Sequence, residues 1–550
     1  MNFNISQSFT DVAARFPDRM AIISRSGSGY RRWTFKDLDC TASAYAHGLA
    51  AQGVSRGDRV MLMVKPSMEF VCLTFSLFMI GAVVILIDPG MGYKNLLRCI
   101  GSVKPQVLVG IPKAQIFKRL FRKPFQTVET DICVGAGFGL LGRSLKRIAD
   151  FEKGAFSPAV MNQEDMAAII FTTGSTGPPK GVQYQHGIFR AQLDLIRDYY
   201  GITPEDIDQP AFPLFALFST ALGACAVIPD MNPAHPARVD PAGFVRTILD
   251  NNVTYSFGSP AIWNVVSRYC LNKGITLPTI KKILMAGAPV PWDLIKRVKS
   301  IMGHDSEIYT PYGATESLPV SSMSGSEILN ETWGKTRTGH GTCVGRPLPG
   351  IEIKIISISD DPLESWDKVQ VPPVGEIGEI VVRGDVVTRA YYNNDRENRL
   401  AKIRDNETQW HRIGDLGYLD DQGRLWFCGR KAHRVITTYG TLFTIPCEAI
   451  FNEHPLVFRS ALVGVRPGPD RRSGPAPSVT GPVTPVLIVE PYEKVSDPDR
   501  LFSELRDMAN SNSITESINH FLIIPAMPVD IRHNAKIFRE KLALWATERL

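Results

Sequence analysis

With 550 residues the chain exceeds one ordinary hydrophobic core, and about two to four domains are expected. Its 44% hydrophobic and 21% charged residues are those of a soluble globular protein, and a formal charge of +6 is too small at this length to make nucleic acid the main partner. Nine scattered cysteines with no Cys-x-x-Cys pair argue against zinc or dithiol redox chemistry and suit a reducing cytoplasm.

Taken in chain order, the first residues, Met1 to Ile5, lack the basic start and apolar run of a secretory signal. Phe70 to Ile87 is apolar enough to raise the question of a membrane span. Gly81-Ala82 as punctuation, β-branched residues only in the second half, and the stop at Asp88-Pro89-Gly90 favour a buried helix over 69–79 and a buried strand over 83–87. Gln106 to Gly110 reads as another strand. Lys113 to Phe125 carries five basic residues and no acid, with Ile116, Phe117, Leu120 and Phe121 at helical spacing, and Arg143, Lys146 and Arg147 continue the charge. A solvated helix packed on its domain is the favoured reading, with peripheral membrane or partner docking as the alternative. Gly137 to Gly142 matches a dinucleotide glycine spacing, but its preceding strand is poor and no acid ends a second strand, so a Rossmann site is not expected.

Further strands fall at Met166–Ile170, Ala224–Ile228 and Lys282–Met285, so the first 430 or so residues alternate helices with short apolar strands, as in α/β folds with largely parallel sheets. Strand-rich patterning then takes over: Ile351–Ile355 alternates, and Gly378–Gly384 resembles a barrel strand. Residues 431–550 form a separate smaller unit with a proline- and glycine-rich excursion from Arg466 to Pro485. No internal repeat is evident.

The sharpest chemical signal is Thr172-Thr173-Gly174-Ser175-Thr176-Gly177, ending in two prolines and Lys180, directly after the strand at 166–170. Glycine amides approach phosphate oxygens closely, the hydroxyls add donors and the lysine adds a point charge. The spacing is not that of a Walker loop. Tyr309 to Glu316 is the second signal: Tyr312 and Gly313 could face a base, the Thr315 hydroxyl a phosphate, and the Glu316 carboxylate a Mg²⁺ ion. Asp415 sits in a tight Gly-Asp turn suited to two ribose hydroxyls, Arg430 ends the strand pattern 425–428, and Gly287-Ala288-Pro289 follows the strand ending at Met285. Taken singly, Asp415 reads equally as an ordinary turn aspartate.

Together and in this order, these five motifs resemble the adenylate-forming superfamily of acyl-CoA synthetases, peptide synthetase adenylation domains and luciferases. The resemblance covers nearly the whole chain. It implies a large N-terminal domain, 1–430, of two α/β sheets plus a small β-barrel, and a smaller mobile α+β lid, 431–550. It further implies ATP and Mg²⁺ as cofactors. Tyr312 and the Gly287 turn would frame adenine, Asp415 and Arg430 hold ribose, and the glycine loop with Thr315 hold phosphates. Glu316 would bind the metal. Lys536 on the lid would bridge the substrate carboxylate and the phosphate ester during attack.

Three departures narrow the group. Phe215-Ala216-Leu217-Phe218 matches a substrate-pocket segment that usually carries histidine where Ala216 stands. The residue two past Arg430 is Ala432, followed by His433, in place of the usual Asp or Lys hinge, and the next glycine, Gly440, comes about one residue late. With the sequence around Lys536, this resembles the β-lactone synthetases of bacterial olefin biosynthesis, which need no CoA. The resemblance implies a long-chain 2-alkyl-3-hydroxy acid substrate and association with a hydrolase, a thiolase and a decarboxylase of the same pathway. Neither His433 nor His533 is expected to serve as the base for ring closure; both read as solvent-facing. The same-class alternative is a long-chain fatty acyl-CoA ligase or fatty acyl-AMP ligase. A noncatalytic nucleotide- or acyl-binding protein is disfavoured by the joint presence of Glu316, Asp415, Arg430 and Lys536. A serine hydrolase is disfavoured by the lack of a Gly-x-Ser-x-Gly elbow.

Overall fold

The computed structural model describes residues 2–137, 140–152, 154–172, 178–466, 482–530 and 537–550. The polypeptide forms a large N-terminal α/β part and a smaller C-terminal α+β part.

Two seven-stranded, mainly parallel sheets form the bulk of the large part. One runs Glu307–Tyr309, Lys282–Met285, Tyr255–Gly258, Ile207–Asp208, Cys225–Ile228, Met20–Ser26 and Gly29–Thr34. The other runs Arg143–Ser144, Thr130–Cys133, Val107–Gly110, Arg59–Met63, Val83–Leu86, Met166–Thr172 and Lys180–Gln185. Each ends in one antiparallel pair, the rest being joined by crossovers that need covering helices.

The apolar run resolves as expected. Helix Met68–Ile80 starts at Ser67, whose hydroxyl accepts the Phe70 amide at 3.3 Å, and stops at Gly81 with φ 81°, a conformation that glycine adopts without steric cost. Every residue from Phe70 to Ile80 is buried, which explains why the helix is apolar all round. It lies in a core cluster that joins strands of both sheets, among them Ile22, Val84, Ala168 and Ala226. Among the described residues no helix is long and apolar enough to cross a membrane.

The strand-rich region, expected as a small barrel, is an eight-stranded antiparallel sheet. Its order is Tyr312–Ala314, Ser317–Ser322, Thr342–Pro347, Leu425–Arg430, Thr408–Leu419, Gly378–Arg383 and Glu352–Ile356, with Lys402–Asp405 added beside Thr408–Leu419. The C-terminal part holds a three-stranded sheet, Val457–Val465, Thr484–Pro491 and His520–Ile523, with helices Thr444–Phe451, Pro498–Asn510 and Arg539–Thr547.

The basic segment departs from expectation. Its helix spans only Pro112–Leu120, and Lys123–Phe125 is a separate 3₁₀ turn. A helix continued through Pro124 would lose a backbone bond and clash with the preceding turn. The buried positions are Ala114 and Gln115, with Phe117 packed beside the core, while Ile116, Leu120 and Phe121 face solvent. The Gly137–Gly142 segment lies between strand Thr130–Cys133 and the short strand Arg143–Ser144 and does not open a helix at once; Phe138 and Gly139 are outside the described residues.

Candidate active site

Three antiparallel hairpins bring the sequence motifs together. The first joins Met166–Thr172 to Lys180–Gln185, with Thr172 opposite Lys180, so the glycine loop is tethered at both ends by a paired strand. Thr173, Gly174, Ser175, Thr176 and Gly177 lie outside the described residues. Lys180 at the loop's exit forms an ion pair with Glu397, and its ammonium stands 5.2 Å from the ring centroid of Tyr391.

The second hairpin pairs Tyr312–Ala314 with Ser317–Ser322, leaving Thr315 and Glu316 as a two-residue turn at its tip. Gly313 is required by space: a Cβ there would stand 2.4 Å from the Ser317 carbonyl oxygen. The tip is anchored on three sides. The Tyr184 hydroxyl donates to the Thr315 carbonyl at 2.6 Å, and the Thr388 amide and hydroxyl both donate to the Glu316 carbonyl, at 2.8 and 3.0 Å. The Tyr391 hydroxyl donates to Glu316 Oε1 at 2.8 Å. Burial, and then the nearby Glu316 charge, push the Tyr391 phenol up, so it remains a donor at neutral pH.

The third hairpin pairs Thr408–Leu419 with Leu425–Arg430 in a register that puts Asp415 opposite Arg430. Arg430 Nη1 lies 2.9 Å from Asp415 Oδ1, and the Tyr312 hydroxyl donates to Asp415 Oδ2 at 2.6 Å. Asp415 raises the Arg430 guanidinium further, and burial keeps the Tyr312 phenol protonated. Tyr312, Asp415 and Arg430 therefore form one connected unit. Gly287-Ala288-Pro289 follows Lys282–Met285 as a turn in which Gly287 has φ 92°.

The segment Phe215 to Phe218 is divided by its helix, Pro213–Ala221. Phe215 stacks on Phe257 with ring centroids 3.4 Å apart. Ala216 lines an apolar pocket with Phe70 and Ile228, whereas Leu217 and Phe218 line a second apolar pocket with Phe75, Phe78 and Phe189. Phe189 stacks on Tyr184, the residue that holds Thr315, so the second pocket is one ring removed from the Thr315-Glu316 turn.

Several residues here carry no motif of their own. Tyr184, Thr388, Tyr391 and Glu397 hold the motif residues, as described above. Lys402 donates to the Thr388 carbonyl, and burial pushes its ammonium down to about 7 despite the nearby Glu316 charge. His411 beside it is held neutral by burial, and then by the Lys402 charge.

The link to the C-terminal part is pinned. Lys431 Nζ lies 3.0 Å from Glu379 Oε1 and 2.8 Å from the Ser359 carbonyl, and Arg434 pairs with Asp360 at 2.5 Å. His433 is not solvent-facing: its side chain is 10% exposed and meets Glu540 at 3.2 Å, because the link folds against helix Arg539–Thr547. Lys536 and His533 lie outside the described residues.

The site suits a magnesium nucleotide. Glu316 offers a carboxylate fixed by Tyr391, and Mg²⁺ is commonly held by one or two carboxylates together with substrate phosphates and water. Among the described residues no group of three or more His, Cys, Asp or Glu side chains could hold a metal unaided.

A family model described as AMP-binding enzyme matches residues 9–392. The chain is 42% identical over 561 aligned residues to a protein named olefin beta-lactone synthetase from Stenotrophomonas maltophilia (strain K279a), covering 100% of this chain and 98% of that protein. A protein of the same name from Xanthomonas campestris pv. campestris is also 42% identical, over 99% of this chain and 98% of its own. Among solved structures, the o-succinylbenzoate-CoA synthetase of Bacillus subtilis in complex with ATP and magnesium ion matches with a TM-score of 0.73 at 21% identity, over 97% of this chain and 98% of that one, a likeness of fold. The chain belongs to the adenylate-forming family of AMP-binding enzymes.

Proposed function

We propose that this enzyme converts a long-chain 2-alkyl-3-hydroxy acid and ATP into a β-lactone, AMP and pyrophosphate. The observation that carries this reading is its 42% identity, end to end, with proteins named olefin beta-lactone synthetase. Ala216 and the apolar cavities on either side of its helix agree with a hydrocarbon substrate.

In this reading the loop from Thr172 to Gly177 and Lys180 grip the pyrophosphate end of ATP, with Thr315 beside them. The Gly287-Ala288-Pro289 turn and the Tyr312-Gly313 strand border adenine. Asp415, held by Tyr312 and Arg430, accepts the ribose hydroxyls. Glu316 holds Mg²⁺, which neutralises phosphate charge. Lys536, on a C-terminal lid that follows Arg430, bridges the acid and the α-phosphate.

A carboxylate oxygen attacks the α-phosphorus, the bond to the bridging oxygen breaks, and pyrophosphate leaves. The substrate's 3-hydroxyl oxygen then attacks the activated carbonyl carbon, and the carbon–oxygen bond to AMP breaks. The hydroxyl proton leaves, and a four-membered ring closes. The protein's part is to hold hydroxyl and carbonyl in attack geometry and keep water out, which an apolar wall around Leu217 and Phe218 serves.

The test is incubation of the pure protein with ATP, Mg²⁺ and a 2-alkyl-3-hydroxy acid, with and without CoA, with products identified by mass and NMR. A lactone formed without CoA is expected. A thioester formed only with CoA, and no lactone, would refute the reading in favour of an acyl-CoA ligase.

A further inference from the structure

We propose that the face formed by helix Pro112–Leu120 and its neighbours docks on an anionic lipid bilayer. Between Pro89 and Val128 the chain carries eight lysines and arginines and no acid, so this stretch alone exceeds the net charge of the whole chain. Lys118 is spent on Asp131 at 2.5 Å, but Lys94, Arg98, Lys113, Arg119, Arg122 and Lys123 are exposed.

Charge by itself fits any polyanion. The choice of a bilayer comes from what lies between the cations. Leu120 is 73% exposed and Ile116 48%, and the two are four residues apart on one helix face. At about 100° per residue, the exposed positions read round the helix as Arg119, Ile116, Leu120, Lys113, so cations bracket the apolar pair. Phe121 and Tyr93 extend the apolar strip, with ring centroids 6.4 Å apart and Tyr93 57% exposed. A nucleic acid backbone gains nothing from exposed aliphatic side chains. A membrane interface takes up aliphatic and aromatic groups while its headgroups meet the surrounding cations. The strip lies on the outside of the helix whose inner side, through Ala114, Gln115 and Phe117, seats on the sheet, so docking needs no rearrangement of the core. Docking there would bring the enzyme to the phase in which a long-chain acid dissolves.

The experiment is co-sedimentation of the full-length protein with vesicles of phosphatidylglycerol and phosphatidylethanolamine, against vesicles of phosphatidylcholine alone. Strong, salt-sensitive binding to the first and weak binding to the second is expected. At roughly fivefold per basic side chain at the surface, the triple variant Lys113→Ala, Arg122→Ala, Lys123→Ala should weaken binding about 100-fold. Ile116→Ser with Leu120→Ser should weaken binding while leaving its salt sensitivity. All five positions are solvent-exposed, and pyrophosphate release with a water-soluble short-chain hydroxy acid should be unchanged in both variants. Wild-type binding that neither variant reduces, or no wild-type binding to the anionic vesicles, overturns the proposal. So does capture by a soluble polyanion such as heparin with no preference for vesicles. The vesicle result does not depend on which product the enzyme makes.

Discussion

The Tyr391 hydroxyl offers the sharpest perturbation of the Thr315-Glu316 turn. Tyr391→Phe deletes one oxygen and leaves the ring, which is buried, faces the Lys180 ammonium at 5.2 Å and meets the His411 ring edge-on at 6.5 Å. What is lost is a 2.8 Å hydrogen bond from a neutral phenol to the Glu316 carboxylate. Hydrogen bonds to charged groups are worth about 1.5–3 kcal/mol. Expressed fully in the transition state for adenylation, this lowers kcat/KM by about 10- to 150-fold. Because Tyr391 acts through Glu316, the loss should appear with a weakened apparent affinity for Mg²⁺ in a pyrophosphate-release assay titrated with the metal. Tyr391→Phe should also be non-additive with Glu316→Gln, since both remove one interaction. An unchanged Mg²⁺ midpoint together with additive losses would refute the claim that Tyr391 positions Glu316, the carboxylate proposed to hold the metal.

Other consequences follow from neighbouring groups. Burial lowers the Lys402 pKa to about 7 from 10.5, so between those values the unfolded chain holds a proton that the native one lacks. Stability should therefore rise with pH across that window, by up to about 1.4 kcal/mol per unit, and level off below it. Lys402→Met should lose that rise in urea unfolding at stepped pH; an identical slope in both proteins contradicts it. Asp415→Asn weakens the contact to Arg430 and the proposed ribose acceptor, and should raise the KM for ATP about 10- to 100-fold with a smaller effect on the KM for the acid, as steady-state kinetics would show. Arg412 and Glu379 are 2% and 1% exposed and paired through two hydrogen bonds at 2.7 and 3.0 Å, so Glu379→Leu leaves the guanidinium buried without its carboxylate and should cost about 3–5 kcal/mol in chemical denaturation.

The architecture was legible wherever a local pattern and a burial requirement coincide. An apolar run broken by Gly81 can satisfy its backbone as helix plus strand, and both formed within a residue or so of expectation. The candidate motifs around Lys180, Gly287 and Glu316 were legible because each sits at a turn joined to a strand, whereas Asp415, expected in a tight turn, lies inside the strand Thr408–Leu419. The mutual support of these residues was not legible. The resemblance assigns Asp415 and Arg430 to one ribose, but only the strand register puts the two in direct contact. Tyr391, Lys402 and Glu397 look like ordinary residues of a loop, strand and helix, and become site residues because distant segments fold onto Glu316 and Lys180. Spacing in the basic segment showed which residues share a helix face but not which face is covered. Here the sheet takes Ala114, Phe117 and Gln115, whose amide donates to the Ile132 carbonyl at 2.9 Å, and leaves Ile116 and Leu120 outside. Likewise His433, a polar residue in an expected surface link, is covered because Glu540 lies against it.

The central claim is that activation by ATP ends in ring closure by the substrate's own hydroxyl. Its most direct measurement uses a 2-alkyl-3-hydroxy acid labelled with ¹⁸O at the 3-hydroxyl, turned over with ATP and Mg²⁺ in the absence of CoA. The account predicts one AMP per β-lactone and retention of the label as the ring oxygen. Release of AMP with the free acid as the only organic product, or a requirement for CoA with a thioester as product, would contradict it.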